Sequence, residues 1–130
     1  MTETKGSTIT SAAPPPVGHY PHARRVGGLL FLSGLGPRPP GGGPIPQGFD
    51  AQCHAVFANV RSVLEAAGSS WEKLVDVTVF LTDIPRDFTA FNRLWADYFP
   101  TDPPCRTTVE VTRLPTPISI ELKCVATVED

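Results

Sequence analysis

The chain has 130 residues, with 11 Lys and Arg against 13 Asp and Glu and a formal net charge of −2 at pH 7. That length supports one hydrophobic core, and the near-balanced charge gives no electrostatic footprint for nucleic acid or an anionic membrane. No apolar run reaches bilayer length, and the polar stretch from Met1 to Ser11 lacks the apolar core of a signal peptide. Residues 1–17 read as a disordered arm, because their Thr, Ser, Ala and Pro residues offer little to bury. Residues 18–130 read as a single domain.

The domain opens with His22-Ala23-Arg24-Arg25-Val26, a Gly27-Gly28 pair, and Leu29-Leu30-Phe31-Leu32-Ser33-Gly34. A glycine pair between two such runs signals a two-residue hairpin. The second run is apolar on both faces, which predicts a buried central strand. Pro37 to Gly48 is rich in Pro and Gly and reads as a long irregular loop, a kind of segment that is often functional. Asp50 is placed to cap a helix running to about Ala67, stopped by Gly68. Cys53, Val56, Phe57, Val60, Val63, Leu64 and Ala67 form its apolar face at steps of three and four.

Val75 to Thr82 alternates as a strand, with Val75, Val77, Val79 and Leu81 on one side. A second helix from about Pro85 to Phe99 turns Phe88, Phe91, Trp95 and Phe99 inward, and Pro100 ends it. Strands over Arg106–Thr112 and Ile118–Val128 close the chain. The order β-β-α-β-α-β-β is that of an α+β fold with parallel crossovers and both helices on one sheet face. The other face must then meet water or another subunit. Val109, Val111 and the doubly apolar second strand favour self-association.

Cys53, Cys105 and Cys124 are odd in number and lack Cys-x-x-Cys spacing. Neither a zinc site nor a disulfide framework is expected, and a reducing, cytoplasmic setting fits. The segment Pro103-Pro104-Cys105-Arg106-Thr107-Thr108-Val109-Glu110-Val111 sets an arginine at the mouth of a strand. A guanidinium there is a permanently charged fork suited to a carboxylate, or a surface charge at a strand edge.

Taken together, Leu32-Ser33-Gly34, Ala66-Ala67-Gly68, Val77-Thr78-Val79-Phe80-Leu81, Asp87-Phe88, Asn92, Tyr98-Phe99, Arg106 to Val111 and Leu114-Pro115 resemble the RidA/YjgF/UK114 family of enamine and imine deaminases. The resemblance runs from Tyr20 to Val128. It implies a chorismate-mutase-like fold and a homotrimer whose sheets form a central barrel, with sites in the clefts between subunits. It carries a substrate-binding role onto Tyr20, Ser33, Gly34 and Asn92, and onto Arg106 as the group gripping the substrate carboxylate.

Two positions depart from the pattern. Lys123 stands where imine-hydrolysing members carry a water-managing glutamate, and Thr108 where those members often have cysteine. The stretch Tyr20-Pro21-His22-Ala23-Arg24-Arg25-Val26-Gly27, with Arg38-Pro39 and the last-strand lysine, is similar to the 2-aminomuconate deaminase branch. That branch hydrolyses 2-aminomuconate to 2-oxohex-3-enedioate and ammonia.

A dicarboxylate in a cleft needs more than one cation, since an unpaired buried charge is costly. Arg106 can serve the acid group beside the amine, and His22, Arg24, Arg25, Arg38 and Lys123 are available for the other. Arg24 and Arg25 alternate along the hairpin, so at most one faces the cleft. Lys123 reads as a carboxylate clamp or proton donor, or as a partner for Glu121 two residues away. No cofactor or metal is expected. The alternatives are a broad 2-imino acid deaminase and a non-catalytic trimer that binds small acids or partner proteins.

Overall fold

The computed structural model describes residues 6–129. Its strands are β1 (Ser7–Thr8), β2 (Ala23–Val26), β3 (Leu29–Leu32), β4 (Leu74–Leu81), β5 (Cys105–Glu110) and β6 (Ile120–Thr127). Its helices are α1 (Phe49–Ala66) and α2 (Ile84–Tyr98), with a 3-10 turn at Trp71–Lys73. The strands make one six-stranded sheet of order β1-β2-β3-β6-β4-β5. β4 and β5 pair in parallel, and every other neighbouring pair is antiparallel. The last strand, β6, is therefore inserted between β3 and β4, and each helix connects strands that run the same way. This is the expected α+β, chorismate-mutase-like arrangement.

Alternation along β6 organises the core. Ile120, Leu122, Cys124 and Ala126 are buried under the helices, while Glu121, Lys123, Val125 and Thr127 point to the opposite face. Phe57 of α1 sits at the centre, 1 % exposed. Its ring lies 4.3 Å from Tyr98, 5.7 Å from Trp71, 6.3 Å from Phe91 and 6.5 Å from Trp95. The hairpin has the two-residue turn its glycines require: Val26 pairs with Leu29, and Gly27 adopts φ 59°. Gly68 stops α1 at φ 86° while Ser69 N–H reaches the Leu64 carbonyl.

Several elements differ from expectation. Part of the expected disordered arm joins the sheet through β1 at Ser7–Thr8, whereas residues 1–5 fall outside the described residues. β1 satisfies the free edge of β2, and Ala13 is buried. Edge amides supply the order here that apolar side chains could not. Gly48, at φ 91°, occupies the cap position of α1 in place of Asp50, which sits in the first turn and pairs with Arg93 at 3.2 Å. Val75 leaves the core face because the β4–β6 register shifts between Leu74 and Asp76.

Phe88 lies on the rim of α2 and is exposed, while Leu94 takes an inward place. β3 is interior to the sheet yet buried on one face only, since no helix covers the other. Leu30 and Leu32 are enclosed, and Leu29 and Phe31 remain about two-fifths exposed at 41 % and 39 %. With Val26 and Val109 they leave an apolar open face. No helix among the described residues is long and apolar enough to cross a membrane.

Replacing Phe57 by Ala removes the side chain on which both helices meet. The expected loss of unfolding free energy is about 3–5 kcal/mol by urea titration. A loss under about 1 kcal/mol would mean that the core is not centred there.

Candidate active site

Two clusters of candidate residues form, and the sheet separates them. The first is built around Arg106. Parallel pairing sets Arg106 beside Val77 and Thr108 beside Val79, so both lean toward α2. On that helix Phe88, Phe91, Asn92 and Trp95 recur at the i, i+3, i+4, i+7 spacing of a single face. The Arg106 Cζ lies 5.1 Å from the Phe91 ring centroid, 5.2 Å from Trp95 and 5.8 Å from Phe88. Its Nη2 donates to Asn92 Oδ1 at 2.7 Å.

The three rings hold the guanidinium by cation–π attraction while removing water from it. That desolvation lowers its pKa from the ordinary arginine value, but an arginine so placed keeps its charge. Among the described residues it has no carboxylate partner. A preorganised, partly desolvated and unneutralised guanidinium is a receptor for a carboxylate.

The strand and helix that frame it are tied together. Glu110 Oε1 accepts the Ile84 amide at 2.8 Å, so the motif's glutamate satisfies an open amide at the start of α2. Asp83 Oδ1 accepts the Arg86 amide at 3.0 Å as the helix cap. Buried Asp87 takes both arms of the Arg86 guanidinium at 2.8 Å. Thr108 Oγ1 is buried without a hydrogen bond on the same side of β5 as Arg106.

The second cluster gathers around the face of β6 turned away from the helices. Tyr20, Gly34, Gly36, Arg38 and Glu121 line a cleft of about 90 Å³ with Val17, Pro115, Thr116 and Ile118. The Tyr20 hydroxyl accepts the Val17 amide at 3.2 Å, and Arg38 Nη2 donates to the Pro15 carbonyl at 2.8 Å. Ser33 Oγ donates to the Pro21 carbonyl at 2.8 Å. Lys123 Nζ donates to the Leu32 carbonyl, so it is not paired with Glu121. A lysine has three donors, and further ones stay available on the open face.

His22 does not join either cluster. It is 2 % exposed, its Nδ1 accepts the Thr10 amide at 3.1 Å, and its Nε2 donates to the Pro14 carbonyl at 2.8 Å. Both ring nitrogens are used in holding residues 10–14, so this expected substrate ligand is structural. Arg25 Nε donates to the Gly27 carbonyl at 2.9 Å, across its own turn. It pairs with Leu30 and so leaves the sheet on the face away from Lys123. Neither residue lines the cleft.

Two contributions went unread in the sequence, and a third residue, Glu121, was legible there only as a neighbour of Lys123. Glu121 lies half-buried in the cleft, and burial pushes its pKa up. Asn59 Nδ2 donates to the carbonyls of Gly36 and Arg38, both at 2.8 Å, fixing the loop that carries Arg38. Gln52 accepts the Ser119 amide at 2.8 Å and donates to the Pro46 carbonyl at 3.2 Å. Amides seven residues apart and buried on α1 are a usable signal, because a buried amide needs partners.

Glu121 gives a stability prediction with a definite sign. Its folded pKa is raised, so the native state holds the proton more tightly than the unfolded chain does. Its ionisation therefore erodes stability as pH rises from the unfolded value through the folded one. Glu121→Gln should raise the Tm at pH 7 and lose that advantage in acid, where both states are protonated. An equal shift at both pH values would mean that desolvation of the charge is not the cause.

Comparison with known proteins gives the chain's family. Residues 10–128 match the family model described as Endoribonuclease L-PSP. A RutC family protein of Pyrococcus horikoshii is 40 % identical over 119 residues, covering 91 % of this chain and 94 % of that protein. Reactive Intermediate Deaminase A of Arabidopsis thaliana is 36 % identical over 119 residues, 91 % of this chain and 63 % of that protein. The crystal structure of RidA from an Antarctic Psychrobacter superposes with a TM-score of 0.89 at 32 % identity, covering 94 % of this chain and 98 % of that one. Sequence and fold thus agree: the chain belongs to the endoribonuclease L-PSP family, which includes the RidA and YjgF proteins.

Proposed function

We propose that this protein is a cytoplasmic hydrolytic deaminase of a small unsaturated amino acid, 2-aminomuconate, yielding 2-oxohex-3-enedioate and ammonia. The observation that carries this reading is the state of Arg106. It is desolvated by three rings, oriented by Asn92 and unneutralised among the described residues. A substrate carboxylate completes it. The name of the Arabidopsis relative supports deaminase chemistry.

The register supports a shared site. Arg106 faces the helices beside Val77 and Cys124, whereas Lys123 pairs with Thr78 on the opposite face. They cannot converge on one small molecule within one chain, so a complete site takes Arg106 and Asn92 from one copy. It takes Tyr20, Ser33, Gly34, Arg38 and Lys123 from the next. A homotrimer with the open sheet faces turned into a central barrel would do this while covering Leu29, Phe31 and Val109.

The chemistry needs only side chains. The enamine tautomerises to an imine, water adds at the second carbon, and ammonia leaves. Arg106 holds the carboxylate beside that carbon and withdraws electrons from it. Lys123 and Arg38 serve the far carboxylate, which a mono-acid imine lacks. Tyr20 and Asn92 orient the bound acid, and Ser33 and Gly34 shape the wall between them. The second reading, a broad 2-imino acid deaminase, draws on the same relative's name.

Ammonia release from freshly generated 2-aminomuconate, beside the imine of pyruvate, tests both readings. Wild type should act on the diacid, and Arg106→Ala should lose at least about a hundredfold in kcat/KM, the cost of stripping a desolvated charge from its partner. Turnover of the pyruvate imine alone would select the broad deaminase. Arg106→Ala activity near wild type would remove the anchor. Lys123→Glu should harm the diacid more than the mono-acid, and equal harm would give Lys123 a proton-transfer role instead.

A further inference from the structure

At the end of the sheet where β4 and β5 begin, and where α2 stops, lies a further cavity of about 300 Å³. Trp71, Tyr98 and Phe99 wall it, and Glu72 and Asp102 are its charged residues. We propose that this cavity binds a small organic dication, a diamine or polyamine, between its two carboxylates and across its rings. It shares no residue with the Tyr20 cleft or with the rings around Arg106, so it stands apart from the deaminase reading.

The rings are fixed in place. Phe99 stacks on Trp71 with centroids 4.8 Å apart and planes 12° from parallel, and Tyr98 lies 5.9 Å from Trp71. Trp71 and Phe99 are buried and form the floor. The polar atoms of the rings are already used. Trp71 Nε1 donates to the Tyr98 carbonyl at 3.1 Å, and the Tyr98 hydroxyl bonds to His54 Nδ1 at 2.6 Å. Thr101 apart, the lining side chains therefore offer acceptors and ring surface but no free donor. A fitting ligand brings its own donors on an apolar stem. The loop above the floor is preorganised: Pro100, Pro103 and Pro104 restrict it. Between them Asp102 holds φ 49°, the one left-handed residue besides glycine among the described residues.

Both charged side chains of the lining are acids. Glu72 and Asp102 make no ion pair or side-chain hydrogen bond among the described residues. The carbonyl end of α2 has no basic residue in its last turn, and Asp97 adds an acid there. A helix C-terminus favours cations, so this one is left uncompensated. The cations in the neighbourhood are occupied. Lys73 pairs with Glu129 at 3.7 Å, and Arg61 lies 5.1 Å over the Trp71 ring without lining the cavity. The Arg61 contact shows that this ring already receives a cation. Two carboxylates carried by separate segments suit two ammonium groups, with the chain between them lying on the rings.

The probes are cadaverine, pentylamine and pentanol, which share a carbon chain and differ in charge. Each is titrated into the full chain while its two tryptophan indole N–H resonances are followed by nitrogen-15 NMR. Trp71 reports this cavity, and Trp95, with its ring centroid 5.2 Å from Arg106 Cζ, reports the Arg106 cluster. Cadaverine should shift the Trp71 signal to saturation and leave Trp95 in place. Pentylamine should bind about fivefold more weakly and pentanol not at all, and added salt should weaken both amines. No saturable Trp71 shift, a shift of Trp95 alone, or equal binding of pentanol would overturn the proposal.

Glu72→Gln combined with Asp102→Asn removes both charges, and asparagine keeps the left-handed backbone. Cadaverine affinity should fall about tenfold. Unchanged affinity would overturn the part given to the carboxylates. Should the double variant not fold, Glu72→Gln alone should cost about threefold, and no loss there would count against the proposal equally.

Discussion

The helices cover one face of the sheet and leave the other bare, and side chains alternate between those faces along every strand. Much of what distinguishes this molecule follows from that constraint at the centre of the sheet. β6 sends Ile120, Leu122, Cys124 and Ala126 under the helices and Glu121, Lys123 and Val125 outward. Through β4, the same alternation sends Arg106 inward toward α2. The cationic anchor and the cleft-lining polar groups are thereby held on opposite sides. Such an arrangement makes chemical sense for an assembly, where the inner side of one copy meets the outer side of another.

The Arg106 environment shows how a charge can be kept ready in a partly dry place. A buried cation without an anion is costly, and here the aromatic faces and Asn92 offset part of the cost. Those rings stay in line because α2 is fixed at its start by Asp83 and by Glu110 from β5. The motif around Arg106 thus includes its own brace: the residue that receives the ligand and the residue that positions the receiving helix are four apart on one strand.

The opposite cluster is braced by backbone carbonyls. Pro14 and Pro15 offer carbonyls without competing amides of their own, and His22 and Arg38 bond to them. The segment expected to be disordered is in this way part of the wall carrying Tyr20. His22, attractive as an acid–base group, is spent on that task. Gly34, for its part, leaves room in the cleft for the half-buried Glu121.

The sequence by itself determined the elements whose cause is local. The apolar period of α1, the alternation of β6, the Gly27-Gly28 turn and the proline and glycine stops are written in spacing, because helix and strand geometry repeat along the chain. The motif around Arg106 was equally legible, because its residues are contiguous. The tertiary structure alone decided what depends on residues far apart. It showed that β1 closes the edge of β2, that a register shift expels Val75, and that Phe88 belongs to the rim. It tied His22 to the Thr10 amide and turned Lys123 to the Leu32 carbonyl, since partners twelve and ninety-one residues away are fixed by sheet order and not by spacing.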